Sequence, residues 1–337
     1  MAEVVSFGET MLRLTPPAAG RVEGAQSMDL YVSGPESNAL ACMSRLGVST
    51  LWLSALPANP AGRRVVNELK SHGVDTQHIV WSAGEKSRLG TYYAEDAAFP
   101  LGPQVWHDRT YSAFTQLRPD DVDLFVLAEA KLLYMTGVTP ALGRNARTIF
   151  EDLLGEAAAR KVSLAFDVNY RSKLWLADEA AGTLDDACRQ ADVLFCTLED
   201  ADELWGLTGN PETVLRQLGR KFANENSKKT YVMTLGSEGA TQLQGNVCLH
   251  VPALPNEGRW RFGLGDAFAA GYLYAYLGGK LFKDLEMESM TNEGLAINYL
   301  RFANAIASLK CCIAGDIATI TLDEVRAVLR PSKRRVR

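Results

Sequence analysis

The 337-residue chain is 47% hydrophobic and 22% charged, an ordinary globular composition with core enough for one large α/β domain or two modest ones. A net charge of −5 does not indicate a nucleic-acid partner, and the only basic cluster, Lys333-Arg334-Arg335-Val336-Arg337, reads as a solvated tail. No run approaches membrane-spanning length, MAEVVSFGET lacks the regions of a leader, and six cysteines without a C-x-x-C pair read as reduced thiols, so a cytoplasmic protein with no membrane partner and no zinc is expected.

In chain order, short apolar runs alternate with stretches of helical period. Strands are expected at Val4–Phe7, Thr50–Leu53, Leu132–Met135, Ser163–Phe166, Val193–Cys196 and Tyr231–Leu235. Helices are expected at Ser37–Leu46, Gly62–His72, Arg144–Arg160, Asp178–Gln190, Leu198–Leu207 and Glu212–Ala223. The last third is helical, over Asp266–Leu277, Gly294–Leu309 and Asp323–Leu329. The alternation predicts a mostly parallel sheet with helices on both faces. Two segments break it, about Arg13 to Val32 and about Arg88 to Leu117, both rich in Gly, Pro, Tyr and Thr without helical period. In the second, Tyr92-Tyr93 and Val105-Trp106 read as strand pieces around the turn-rich Ala97–Pro103. Two such insertions can pair into a small β layer over one edge of the main sheet.

The most informative segment is Arg261-Phe262-Gly263-Leu264-Gly265-Asp266-Ala267-Phe268. Two glycines allow a sharp turn, and the free N–H groups of the helix that follows favour an anion, typically a phosphate. Asp266 would open that helix, ionised at neutral pH, as a base that deprotonates an alcohol must be. Gly-x-Gly-Asp is also an ordinary turn with an Asp cap. It is neither a Walker A loop, since no Gly-Lys-Ser/Thr follows, nor a dinucleotide fingerprint, since Phe268 takes the third-glycine place.

Together with its companions the segment resembles the second signature of the ribokinase-like (phosphofructokinase-B) sugar kinases, Asp-Thr-x-Gly-Ala-Gly-Asp leading into a helix. The first signature is similar to Ser33-Gly34-Pro35-Glu36-Ser37-Asn38-Ala39-Leu40-Ala41, followed by Arg45-Leu46-Gly47. The resemblance runs from Val4 to about Leu329. Phe7–Leu14 with its Pro pair, Asp167-Val168-Asn169-Tyr170-Arg171 with Leu174-Trp175, and Lys310–Asp316 look like the 2-keto-3-deoxygluconate kinase branch. It implies a three-layer α/β/α core with a β-sheet lid over the sugar site: residues 1–12, 33–87 and 118–330 as core, 13–32 and 88–117 as lid, 331–337 as basic tail.

Phosphoryl transfer demands in-line positioning and charge neutralisation more than covalent work. Asp266 would accept the hydroxyl proton, with the N–H groups of Gly263, Leu264 and Gly265 on the moving phosphate. Arg171, at a predicted strand end, offers a rigid fork for phosphate and a substrate carboxylate, and is otherwise a surface ion pair. The resemblance implies Gly34 and Asn38 on the sugar. It also implies a grip by Tyr92, His107 (where a Tyr is expected) and Arg109, the last supporting an acidic sugar. On the nucleotide side it implies Asn169, Thr234, Gly236, Ser237, Gly239, Asn304 and Ala307. Magnesium would be carried mainly by ATP phosphates and waters, with Asp200 reaching it through water. Relatives often dimerise through the lid, so a homodimer through that layer is a further expectation.

Four positions depart from the family pattern: Trp260 for the leading Asp, Leu264 for the Ala between the glycines, Ser33 for a lid glycine, and Pro57-Ala58 before Asn59-Pro60. Trp260 speaks against a monovalent cation. The expected activity is ATP-dependent phosphorylation of 2-keto-3-deoxygluconate at its terminal hydroxyl. The alternatives are a kinase for another sugar such as fructose, prompted by His107, and a catalytically silent sugar- or nucleotide-binding relative, prompted by Trp260 and Leu264.

Overall fold

The computed structural model of the protein describes residues 2–17, 20–95, 102–224, 229–279 and 292–329. The basic tail and most of the Ala97–Pro103 turn lie outside the described residues. The strands of the main sheet are Val4–Phe7 (β1), Thr50–Pro57 (β4), Ile79–Ser82 (β5), Leu132–Thr136 (β8), Ser163–Asp167 (β9), Val193–Cys196 (β10), Thr230–Thr234 (β11), Ala240–Gln244 (β12) and Val247–Val251 (β13). Met11–Thr15 (β2), Asp29–Ser33 (β3), Thr91–Glu95 (β6) and Gln104–Asp108 (β7) form a second sheet.

The main sheet runs β13-β12-β11-β10-β9-β8-β1-β4-β5. From β11 to β5 every pairing is parallel, and β12–β13 is an antiparallel hairpin on one edge. The parallel strands are apolar at successive positions because both faces are covered, and their side chains alternate between two cores. Val4, Leu132, Tyr134, Val193 and Phe195 enter one core, and Val5, Phe7, Leu133, Met135 and Leu194 the other. Helices Pro35–Arg45 (α1), Pro60–Ser71 (α2), Leu264–Tyr276 (α7), Asn292–Lys310 (α8) and Leu322–Leu329 (α9) pack into the first core. Arg144–Arg160 (α3), Ala177–Gln190 (α4), Leu198–Trp205 (α5) and Pro211–Lys221 (α6) pack into the second. This is the expected three-layer α/β/α arrangement. At Gly271, where α7 meets α8, an added Cβ would lie 2.9 Å from Ile306 and 3.1 Å from the Ala303 backbone, so the two axes approach closely.

Three local expectations are corrected. Helix α7 begins at Leu264, behind Gly263 in the left-handed region (φ 74°), so Asp266 stands on the first turn instead of opening the helix. Helix α1 starts at Pro35, because a proline suits the first helical position. Neither β5 nor the β12–β13 hairpin is in the sequence reading: Ala-Thr-Gln-Leu-Gln lacks an apolar run, and its buried Gln242 is satisfied by the hydroxyl of Tyr272.

The second sheet runs β3-β2-β6-β7, with its central β2–β6 pair parallel and the outer pairs antiparallel. It joins the two predicted insertions, and its strands reach Met11 at one end and Ser33 at the other. Strand alternation gives it two unlike faces. Arg13, Ser33, Tyr92 and His107 share the face toward the core domain, while Leu14, Leu30, Tyr93 and Trp106 form a row on the opposite face.

Candidate active site

In parallel α/β sheets the ligand crevice opens at the carboxyl ends of the strands. Here Asp167 ends β9, Cys196 ends β10 and Thr234 ends β11, and all three line a cleft of about 690 Å³ between that edge and the small sheet. Gly263, Leu264, Gly265 and Asp266 line it from α7, and Gly34 and Asn38 from α1. Tyr92, His107 and Arg109 line it from the small sheet, and Asn169, Arg171 and Asp200 from the segments following β9 and β10. Thirteen of the eighteen candidate residues therefore meet in one place, from parts of the chain as far apart as Gly34 and Asp266.

The other five do not line the cleft. Gly236 and Ser237 lie in a short 3-10 turn beyond β11, and Gly239 packs onto the backbone of Val251 and Ala253. Asn304 is buried and its amide donates to the carbonyls of Val251 and Pro252, both at 3.1 Å, while Ala307 packs against the core on the same helix. Trp260 also stands outside the lining. Its backbone N–H donates to the carbonyl of Cys311.

At the centre, Asn38 Nδ2 donates to Asp266 Oδ2 at 2.8 Å, which fixes the carboxylate and leaves its other oxygen toward the cleft. Surrounding protein desolvates Asp266 and raises it to about 6, while the Asn38 bond and the charge of Arg171 pull the other way. At about 6 it is largely ionised at neutral pH. The turn before it is tightly packed. A Cβ on Gly263 would fall 2.0 Å from the carbonyl oxygen of Asp316, whereas one on Gly265 would meet nothing within 4 Å beyond its chain neighbours and its own helix backbone. The first N–H groups of α7 have no intrahelical acceptor, so open space faces unspent donors there, a setting that fits a phosphate group.

Around this floor, Asp167 is raised to about 8 by burial and by the charges of Asp200 and Asp266, so it is largely protonated at neutral pH. Asn169, two residues on, takes a left-handed φ of 40°, which an Asn tolerates. Asp200 accepts the N–H groups of Tyr170 and Thr197, the latter as part of the α5 capping box. Among the described residues no group of three acidic, His or Cys side chains is placed to hold a metal.

The lid side adds pairings that no local sequence pattern marks. Arg109 donates through Nε and Nη2 to Glu9 Oε2, at 2.8 and 2.5 Å, and Ser112 donates to the other oxygen of Glu9. His107 stacks obliquely on Tyr92, its strand partner, with centroids 5.3 Å apart. Partial desolvation and then the charges of Arg109, Lys173 and Arg171 lower it to about 4, so the ring is neutral. The Tyr92 hydroxyl donates to Ser33 Oγ at 2.7 Å, and Ser33 donates to Asp316 Oδ1 at 2.8 Å. Behind them Arg13 is fully buried between the rings of Tyr31 and Phe262, with Nε 2.9 Å from Asp316 Oδ2. Glu36 is also missed by the sequence reading. Buried beside Gly8, it accepts the hydroxyls of Thr136 and Thr139 at 2.7 Å and is raised to about 7 by desolvation.

Removing one partner of a buried ion pair leaves an uncompensated charge. Asp316→Ala is expected to cost about 3–5 kcal/mol in urea unfolding, and Asp316→Ala with Arg13→Met less than the sum of the two single changes.

Comparison with known proteins bears directly on this constellation. Residues 1–322 match the model of the pfkB family carbohydrate kinases. The chain is 36% identical over 329 residues to a 2-dehydro-3-deoxygalactonokinase of Haloferax volcanii, covering 98% of this chain and 97% of the relative. It is similar to the crystal structure of 2-dehydro-3-deoxygluconokinase from Thermotoga maritima, with a TM-score of 0.86, 28% identity and coverage of 97% and 98%. The fold is shared with a Pyrococcus horikoshii sugar kinase crystallised in complex with ATP, with a TM-score of 0.77, 22% identity and coverage of 97% and 100%. A carboxylate behind a glycine turn, facing a cleft beneath a small second sheet, is thus found in a chain that belongs to the pfkB family of carbohydrate kinases, phosphotransferases that act on an alcohol group.

Proposed function

We propose that the protein phosphorylates the terminal hydroxyl of 2-keto-3-deoxygluconate, with ATP and magnesium. The observation that carries this reading is the Asn38–Asp266 hydrogen bond beside the Gly263–Gly265 turn, which joins an oriented base to an anion-binding helix end. When bound, ATP supplies the γ-phosphoryl group. Asp266 takes the proton from the acceptor hydroxyl as the oxygen attacks, and Asn38 keeps its second oxygen occupied so that one lone pair faces the reaction. The N–H groups at the start of α7 meet the negative charge that builds on the transferring group. Arg171, which makes no ion pair among the described residues, adds a cation at the same floor. The cationic character around His107 favours an acceptor that carries a carboxylate.

The 36% identical relative is named for the galactonate epimer, which supports a second reading, 2-keto-3-deoxygalactonate as the preferred acceptor. Both readings share the base and the carboxylate and differ only at one sugar hydroxyl. We also propose a homodimer through the lid in a cytoplasmic enzyme. Leu30, Tyr93 and Trp106, 45, 39 and 49% exposed, lie in one row on the lid's outer face, where a second copy would cover them.

ADP release should be seen with one or both 2-keto-3-deoxy acids and not with fructose, ribose or no sugar, and Asp266→Asn should lower it about 10²–10⁴-fold. Turnover confined to neutral sugars would discard the acid-sugar reading, and ligand-induced stabilisation without turnover would favour a silent binder. Because Asp266 is raised to about 6, kcat/KM should fall as pH drops through 6, where the base becomes protonated, and Asn38→Ala should move that limb to higher pH. Analytical ultracentrifugation should find a dimer that Trp106→Asp dissociates; a monomeric parent protein sinks the lid interface.

A further inference from the structure

Glu36 is a buried acid with no part in the proton or phosphoryl transfer described above. It stands on the first turn of α1 and is 1% exposed. One oxygen, Oε1, accepts the hydroxyls of Thr136, at the end of β8, and Thr139, in the 3-10 turn that follows, each at 2.7 Å. The other has no hydrogen-bond partner among the described residues and packs on Gly8, just past β1, where an added Cβ would fall 2.2 Å from it. The first turn of α1 is thereby fastened to the ends of two adjacent strands of the main sheet. An apolar side chain of similar length would fill the same space without leaving a buried acceptor unpaired. What the carboxylate adds is direction.

Two residues along a helix is a rotation of about 200°, so Glu36 faces the strand ends while Asn38 faces the cleft. Between them, Ser37 Oγ accepts the hydroxyl of Thr10 at 2.6 Å and donates to the carbonyl of Gly34 at 3.1 Å. Asn38 Oδ1 accepts the Gly34 N–H at 3.4 Å, which leaves Nδ2 for Asp266 Oδ2 at 2.8 Å. The way round of the amide is thus fixed locally, and only the rotation and depth of α1 remain to be set. We infer that Glu36 is a positioning residue for phosphoryl transfer: its grip on Thr136 and Thr139 sets the rotation of α1, and so the point at which Asn38 holds the carboxylate of Asp266. This rests on the reading of Asp266 as the base and adds the group that keeps its partner in place.

The test measures kcat and KM, on the 2-keto-3-deoxy acid that the parent protein turns over, for Glu36→Met, Glu36→Gln, Asn38→Ala and Glu36→Met combined with Asn38→Ala. Glu36→Met is expected to lower kcat about 10- to 100-fold and to leave KM for ATP in place, because a small misplacement of a reacting group is felt in the chemical step. Glu36→Gln, which keeps an acceptor oxygen for the two hydroxyls, should retain most of the parent's kcat. In the Asn38→Ala background Glu36→Met should add about a twofold loss at most, since no amide is left to place. Equal losses with and without Asn38 overturn the inference. So does a Glu36→Met protein that is less stable in urea yet has the parent's kcat per folded molecule, the outcome for a clamp that serves the fold alone. Should Glu36→Met not fold, Thr136→Val, which removes one of the two donors, enters the same cycle with Asn38→Ala and is read the same way. If Asp266→Asn keeps the parent's turnover, or the parent turns over neither acid, the reading of Asp266 as the base fails and this inference with it.

Discussion

A guanidinium with no exposed surface must be neutralised where it lies, and at Arg13 that requirement ties the two sheets together. Its counter-charge, Asp316, comes from the loop after α8, more than three hundred residues along the chain, and the same carboxylate also receives Ser33. Arg13 stands on β2, Ser33 ends β3, and Tyr92 on β6 donates to Ser33, so three lid strands converge on one core residue. Burial alone would push Asp316 toward its neutral form, and the charge of Arg13 opposes that. The carbonyl of the same residue closes over Gly263, so the anchor of the small sheet and the turn that leads to Asp266 share one residue.

Given that anchor, the rest of the site follows from the parallel sheet. Strands that all point one way deliver their ends to a single edge, and helices α1 and α7 cross that edge with their N-termini inward. Asn38 and Asp266 meet because both helices pack into the same core, with small side chains and Gly271 keeping α7 close to its neighbours. Burial raises Asp167, Asp200 and Asp266; the charges of the other two add to the rise at Asp167, and the charge of Arg171 opposes it at all three.

Departures from the family pattern fall into two kinds. Trp260 lies outside the cleft lining, with its backbone N–H on the carbonyl of Cys311, so it does not crowd the Gly263–Gly265 turn. Leu264 does line the cleft, beside an open Gly265, and so narrows the approach without filling it. Ser33 replaces a glycine and supplies a hydroxyl that relays Tyr92 to Asp316. His107, in place of a tyrosine, keeps an aromatic ring against Tyr92 and offers a neutral imidazole where a phenol would stand.

The alternation of apolar strands and amphipathic helices, and the Gly263-Leu264-Gly265-Asp266 turn, could be read from the chain because each is a local pattern set by backbone geometry. The layer order and the placing of most candidate residues around one cleft followed from those patterns and from the resemblance they support. What only the folded structure decided is which charges meet. Glu9 with Arg109, Arg13 with Asp316, and Lys173 with the Val105 carbonyl are pairings across tens to hundreds of residues, with no periodicity to announce them. The polar β12 strand stayed hidden for a related reason, since its place in the sheet depends on Tyr272 satisfying a buried glutamine. The reach of Asn304 failed for the same cause: helical placement was legible, but the carbonyls that consume its amide belong to a distant strand end. Local propensity determines elements, whereas desolvation and long-range pairing determine what a side chain at their surface is able to do.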